Sequence, residues 1–404
     1  MAGLFGDKLR GFGLATSFVA LASCASSGEI AEGGDTGSLC ETESVTISTG
    51  FVGAGQHGCS VSADGPVLTV WPEASIAGPI NPSPWYAFEA DLHSSETVTL
   101  RLDYAGYWHR YQPWTSRDGG ATWEKLPESS VTVEGEDHIA SIALPRGPGS
   151  LLVAARPLTT PADMSAWSQL LAKRHDMEIV RYGESLDGRP FNALVAGSQD
   201  AGRLVIALTG QHPPEQSGLA AFKVFAEALM EDIPARVLAD TRIVMLPMTN
   251  PDGRARGHWR HNNGGLDLNR DWLNQTQPAT KAAAAFILEE AGERDTIAFM
   301  DFHSTHKTLV YTQPFEEDYA DMGFPKALKR SLDRGIEPDP EWISGHNAEA
   351  GTSKNWALQT LDVAGLTIEL ADDAPADEIE KVGQLTASTL LNHLLEVQPV
   401  QSGE

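Results

Sequence analysis

Three short stretches carry side chains that could do chemistry together. His212-Pro213-Pro214-Glu215 places an imidazole and a carboxylate three residues apart, with two prolines stiffening the approach. Asp301-Phe302-His303 adds a second imidazole, and Thr367-Ile368-Glu369 ends an apolar run on a carboxylate. Between them, Gly257 to Trp272 gathers Arg260, Asp267, Asn269 and Arg270 into one polar segment. A catalytic zinc site needs three protein ligands drawn from His, Asp or Glu, with one position left for water. His212, Glu215 and His303 supply such a set for one ion and leave Glu369 spare. Arg260, Asn269 and Arg270 suit a carboxylate ligand, because a planar guanidinium grips one through two parallel bonds. The His-x-x-Glu spacing alone is weak evidence, since roughly one is expected by chance in such a chain.

Two further carboxylates could support the ligands. Asp267 could hold the far nitrogen of a ligand histidine and fix its tautomer, or cap the turn after Gly264-Gly265. Asp301 lies on the same strand face as His303 and could serve likewise, or simply end its strand. His306 points elsewhere if that strand ends at His303. Burying Glu369 without a purpose would be costly.

Positioning this set takes a rigid frame, and the pattern past Pro161 supplies one. Leu204 to Leu208, Arg242 to Leu246, Ile297 to Met300 and Leu366 to Ile368 are short apolar runs, typical of strands buried on both faces. Helical stretches alternate with them: Leu219 to Met230, Pro278 to Glu290, Pro325 to Asp333, and Asp377 to Glu396. The alternation predicts an α/β class domain over 162–397, an α/β/α sandwich around a mixed, mostly buried sheet. In such folds ligands gather where strands end. His212, Asn250, His303 and Glu369 all fall at or just past a strand's C-terminal end.

Over 45–157 the period changes. Thr97 to Leu102 and Ile139 to Leu144 alternate between Gly, Pro and Asp clusters, which predicts a small all-β sandwich domain. Ser116 to Trp123 looks like an Asp-box, a hairpin whose Asp caps the turn above a packed Trp; one copy reads as a structural hairpin rather than a propeller. Pro157 to Pro161 reads as a linker.

The N-terminal stretch predicts export. Lys8 and Arg10 precede a short apolar run to Leu21, and residues 1–23 read as a removable signal peptide too short to span a bilayer permanently. Leu21-Ala22-Ser23-Cys24 looks like a bacterial lipobox. That likeness implies lipidation of Cys24, and Ala25 rather than Asp after it favours the outer membrane. An ordinary cleaved signal with an incidental cysteine is the alternative. Residues 24–44 are rich in Ser, Gly, Glu and Thr and read as a flexible tether. The expected location is the periplasmic side of the outer membrane, with the lipid anchor as the one membrane contact. Cys40 and Cys59 are expected to pair in an oxidising compartment, stabilising by about 3 kcal/mol; two separate thiols are the alternative. The net charge of -26 argues against nucleic acid or an anionic membrane surface as a partner.

The order of these motifs is itself informative. His212-x-x-Glu215, Asn250-Pro251-Asp252-Gly253, Trp259-Arg260, Asp267-Leu268-Asn269-Arg270-Asp271-Trp272, a strand-end His303 and Glu369 follow one another. The series is similar to the carboxypeptidase A type of metallocarboxypeptidase, as is Gly183 to Pro190. The β region in front resembles the layout of the cytosolic carboxypeptidase branch, and the motif likeness spans 165–397. It implies a peptide substrate and one zinc ion held by His212, Glu215 and His303. It implies that Glu369 is the general base toward zinc-bound water and then passes the proton to the leaving amine. Arg260 would stabilise the oxyanion, and Asn269 with Arg270 would bind the substrate's C-terminal carboxylate. Losing one oxyanion donor typically costs about a hundredfold in rate.

Two departures stand out. The family places a Tyr about twenty residues before its base, where ungapped counting here finds Asn347 beside His346. That role is unfilled, or filled from elsewhere in the chain. Lys354, in Gly351 to Trp356, falls where the side chain of the released residue would be read. It predicts a preference for acidic C-terminal residues, including γ-linked glutamate or a diaminopimelate carboxylate in murein peptides; a Lys exposed on a loop is the alternative. Two other functions stay open at this point: an N-acyl amino acid deacylase of the desuccinylase and aspartoacylase type, and a non-catalytic surface-binding lipoprotein.

Overall fold

The structure is a computed structural model that describes residues 38–77, 82–136, 138–315 and 321–396. The expected signal peptide, Cys24 and the tether up to residue 37 lie outside the described residues.

The first region is built of strands: β1 (Cys40–Glu41), β2 (Val45–Ser48), β3 (His57–Ser62), β4 (Gly65–Val70), β5 (Ala87–Leu92) and β6 (Thr99–Asp103). After them come β7 (Trp114–Ser116), β8 (Glu124–Lys125), β9 (Val131–Glu134), β10 (Ile139–Ala143) and β11 (Gly149–Ala154). They form two sheets, in the orders β1-β2-β5-β11-β7-β8 and β3-β4-β6-β10-β9. Alternate residues of both sheets, among them Ile47, Phe88, Leu100 and Val153, meet in one apolar core, as two packed sheets require. The pairing is antiparallel apart from β4 with β6. Cys40 and Cys59 are bonded, with Cα atoms 5.7 Å apart. The Asp118 hairpin is structural: its carboxylate accepts from the Thr122 amide at 2.9 Å, and Trp123 Nε1 donates to the Gly120 carbonyl.

Helix α1 (Pro161–His175) opens the second region. Thr160 caps it through a reciprocal bond pair with Asp163, and Pro161 is its first residue, so the linker is shorter than the composition suggested. There follow β12 (Glu178–Glu184), β13 (Pro190–Ala196), β14 (Arg203–Thr209), α2 (Gln216–Asp232), α3 (Ala235–Asp240), β15 (Thr241–Leu246) and α4 (Pro251–Arg256). Next are α5 (Pro278–Ala291), β16 (Asp295–Thr305), β17 (Leu309–Thr312) and α6 (Gly323–Gly335). The chain continues through β18 (Glu341–Ser344), α7 (Ser353–Leu361), β19 (Gly365–Ala371) and α8 (Ala376–Glu396).

These strands make a mixed sheet in the order β12-β13-β15-β14-β16-β19-β17-β18. Its centre, β15-β14-β16-β19, is parallel, so the C-terminal ends of those strands share one edge. Phe222 and Phe225 of α2, Leu328 of α6 and Leu390 of α8 cover one face over Val205, Met300 and Ile368. Ile287 of α5 and Trp356 of α7 cover the other over Ile206 and Phe299. The α/β/α layering is therefore as the periodicity predicts.

The two regions are locked together around Trp259. Its indole belongs to the sandwich core and meets Tyr107 edge-on at 5.0 Å. Gly257 lies just before it with φ +63°, and a Cβ there would stand 2.4 Å from the Gly55 nitrogen. Only glycine permits that approach.

Candidate metal centre

His212 lies three residues past β14, Glu215 is the N-cap of α2, and His303 sits near the end of β16. All three are buried. His212 Nδ1 is 2.7 Å from Glu215 Oε1, and His303 Nδ1 is 2.7 Å from Glu215 Oε2. Each residue offers one donor atom, and these atoms lie within 4.8 Å of one another. The approach of α2 to β16 depends on Gly218, where a Cβ would fall 2.1 Å from the His303 carbonyl oxygen. A larger residue would push Glu215 away from His303.

The far nitrogens are held as well. His212 Nε2 is 2.9 Å from Asp267 Oδ1, and His303 Nε2 is 2.9 Å from Asp301 Oδ2. Both carboxylates thus take the supporting role read for them from the sequence, and each turns an Nδ1 toward the common point. Asp301 is itself fixed by Gln211 Nε2 at 2.5 Å and by the Ser353 hydroxyl.

The local electrostatics favour positive charge at this point. Burial opposes ionisation of Glu215, yet the two imidazoles beside it hold its carboxyl well below the usual range. Burial likewise opposes the His303 imidazolium, but Asp301 and Glu215 hold its pKa well above the usual value. Two imidazole nitrogens and a carboxylate, each backed by a hydrogen-bond partner, fit a zinc ion.

A cavity of about 110 Å³ opens over this trio, lined among others by Arg260, Asn269, Arg270, Lys354 and Glu369. Glu369, on β19 directly beside His303 in register, leaves its Oε2 without a partner among the described residues. Burial, and then the Glu215 charge, push its pKa up to about 7. Asn269 Oδ1 accepts from the Ser353 amide at 2.9 Å, and Arg270 Nη1 donates to the Asn269 carbonyl at 2.7 Å. Arg260 donates from Nε to Asp267 Oδ2 at 2.7 Å. Asp267 therefore ties one metal-ligand histidine to the cavity arginine.

Sequence reasoning missed Glu73. This sandwich residue accepts from three consecutive backbone amides, Trp259 at 2.6 Å, Arg260 at 3.0 Å and His261 at 2.6 Å. His261 Nδ1 also lies 2.8 Å away. Burial opposes its charge, but His261, His258 and those amides lower its pKa to about 2. Nothing near Glu73 in the sequence signals a site, because its partners are 186 to 188 residues away.

The remaining candidates divide. Lys354 is not on an exposed loop: it is 3 % exposed in the first turn of α7, donates to Asn355 Oδ1 at 2.9 Å, and lines the cavity. Burial and the Arg270 charge lower its pKa to about 8. Asn347 and His346 also line the cavity, together with Tyr311 of β17, whose ring stacks on His346 at 4.7 Å. Tyr311 lies well before the position that ungapped counting gives. Asn250 is turned to the backbone, accepting from the Gly253 amide and donating to the Gln211 carbonyl. His306 lies past β16, outside the metal cluster.

Comparison with known proteins agrees with this geometry. The sequence profile of the zinc carboxypeptidase family, Peptidase_M14, matches residues 164–389. The chain belongs to that family. Cytosolic carboxypeptidase 2 of Danio rerio is 33% identical over 108 residues, which is 26% of this chain and 15% of that protein. An uncharacterized protein of Zymomonas mobilis is 34% identical over 236 residues, 53% of this chain and 61% of that one. The matches thus span less than two thirds of these relatives. Among solved structures, a metallo-carboxypeptidase from Burkholderia cenocepacia aligns with a TM-score of 0.72 at 18% identity, over 87% of this chain and 99% of that one. A Pseudomonas aeruginosa metallo-carboxypeptidase in complex with (2-guanidinoethylmercapto)succinic acid aligns at 0.68 and 21% identity, over 87% of this chain and 100% of that one. At these identities they share the fold, sandwich region included.

Proposed function

We propose that this protein is a zinc-dependent carboxypeptidase that removes single C-terminal residues from peptides, with acidic residues preferred. The observation that carries the reading is one cavity lined by His212 and Glu215 of the metal-ligand trio, by Arg260, Asn269 and Arg270, and by Glu369, whose Oε2 has no partner among the described residues. Zinc held by His212, Glu215 and His303 would supply Lewis acidity, activating water and polarising the scissile carbonyl. Glu369 accepts the proton released by the attacking water and delivers it to the departing amine, a task suited to a carboxyl titrating near neutrality. Arg260, held by Asp267, donates to the oxygen on which negative charge develops. Arg270 and Asn269 receive the terminal carboxylate, and Lys354 reads an acidic side chain on the residue to be released, γ-linked glutamate and diaminopimelate included.

The same reading treats 45–157 as a sandwich domain and 162–397 as the catalytic domain. Export as a lipoprotein anchored through Cys24 is supported by the Leu21-Ala22-Ser23-Cys24 pattern and by the Cys40–Cys59 bond. Cys24→Ser should then release the protein from membranes, and persistent membrane association would count against the anchor.

The roles separate in two variants. Glu369→Gln should keep its zinc and lose about a thousandfold or more in turnover, whereas His303→Ala should lose both. Equal zinc loss in the two, read by metal analysis, would overturn the assignment.

A further inference from the structure

The loop that carries His212 and Glu215 borders a second, much smaller cavity. It is about 10 Å³, room for one water-sized body. Trp85, Thr160, Pro213, Gln216, Arg254 and Gly257 are among the residues that line it. His212 and Glu215 line the catalytic cavity, whereas Pro213 and Gln216, each next to one of them in sequence, line this one. Three further parts of the molecule meet the ligand loop here. They are the sandwich at Trp85, the cap of α1 at Thr160, and the turn from α4 toward Arg260 at Gly257.

Arg254 is the residue in this cavity that lacks an explanation. It is 4 % exposed, and its Nη1 reaches only the Thr159 carbonyl, at 3.5 Å. Nε and Nη2, the two donors on the side-on edge of the guanidinium, have no partner among the described residues. Buried Arg203, Arg242 and Arg260, by contrast, each have a carboxylate oxygen within 2.9 Å. Burial pulls the pKa of Arg254 down to about 10, and the charge of Glu215 opposes that shift, so the group is a cation at neutral pH. Glu215 is itself shared between two imidazoles, and bound zinc would answer its charge. A buried guanidinium without a counter-charge is costly. The other polar groups of the wall supply none. Trp85 Nε1 donates to the Gly53 carbonyl at 2.8 Å, and the Thr160 hydroxyl donates to Asp163 at 2.7 Å. Gln216 Oε1 is unpartnered among the described residues, but a water bridging it to Arg254 would leave the charge uncompensated. A carboxylate or phosphate is too large for the space, whereas a halide ion is little larger than a water. Gln216 is also the first residue of α2, so the positive end of that 17-residue helix lies at the same place.

We propose that this cavity binds a single halide ion, chloride above all, on Nε and Nη2 of Arg254, where the sandwich, α1 and the ligand loop meet. The site is independent of what the catalytic cavity cuts. An ion that binds the folded chain alone stabilises it in proportion to the logarithm of its concentration, and this one ties the ligand loop to the sandwich. Two measurements test the site. Crystals of the zinc-loaded protein soaked in sodium bromide should show an anomalous bromide peak in contact with both nitrogens. The unfolding temperature should rise by about 2 °C when sodium chloride replaces sodium methanesulfonate at equal ionic strength, because the larger anion does not fit. Arg254→Met, which fills much of the same volume without the charge, should unfold at one temperature in both salts. A water rather than bromide beside Arg254, bromide found only on the metal or the surface, or a chloride effect that survives Arg254→Met would overturn the site. Should Arg254→Met fail to fold, the bromide position in the wild type decides alone.

Discussion

His212, Glu215 and His303 stand at the C-terminal edge of the central sheet, on or just past its strands, whereas Arg260 stands on a loop that the sandwich region holds in place. The first group is fixed by β14, the first turn of α2 and β16, all within one apolar core. Arg260 has its backbone amide and both neighbouring amides bound to Glu73, and the preceding Trp259 is buried among sandwich residues. The two sides of the cavity therefore have separate foundations, joined by Asp267, which touches His212 with one oxygen and Arg260 with the other. In the proposed reading, the metal-ligand side would belong to the central sheet, and the sandwich would serve as a scaffold for the charge-stabilising side.

That division can be broken at its joint. Asp267→Ala should be the most damaging change outside the ligands and Glu369, because it frees the His212 tautomer and unpairs Arg260 together. Zinc affinity should fall about tenfold to a hundredfold, and kcat/KM by more than about a hundredfold at saturating zinc. If zinc affinity fell with kcat/KM intact, Asp267 would serve the metal side alone.

Glu73→Gln sharpens the comparison from the sandwich side. It should lower kcat/KM by about tenfold through a misplaced Arg260, leaving zinc affinity unchanged. Equal losses of zinc and activity would show that the two sides share one foundation. The same carboxylate predicts a pH effect on stability. Its folded pKa of about 2 lies below the ordinary 4.5, so its stabilisation is full above pH 4.5 and drains away as pH falls toward 2. The amount is about 3 kcal/mol. Acid unfolding of the wild type should be steeper over that window than that of Glu73→Gln, and parallel curves would count against the charge.

The smallest expected effect lies at the cationic end. Lys354 is charged below about pH 8, so the preference for Glu over Gln at the released position should fade as pH rises from 7 to 9. Lys354→Met should show a weak preference with no such fading. A preference that holds flat to pH 9 in the wild type would remove Lys354 from the specificity role.

What the sequence disclosed follows the same division. The central strands were legible because each is a short run of apolar residues buried on both faces, and the ligands fall at their ends or just beyond. The two edge strands, β12 and β18, were not, since their mixed burial leaves no clean period, and β17 is only four residues long. Helix α1 was missed because few of its residues are buried, although its cap and first-turn proline sit in plain view. Glu73 and Tyr311 were beyond reach for another reason. Both are placed by tertiary neighbours, Glu73 across 186 residues or more of chain and Tyr311 from β17 beside His346. Lys354 was placed by position, but only the structure shows that the residue is buried and its ammonium bonded to Asn355 rather than left on an exposed loop.

The most direct test is to incubate the zinc-loaded protein with a mixed peptide library and murein stem peptides, with and without a chelator, and to read the products by mass spectrometry. Loss of single C-terminal residues, acidic ones foremost, that stops with the chelator and returns with zinc is the predicted result. Zinc-loaded protein that releases no terminal residue, or that cuts inside the peptides, would contradict it.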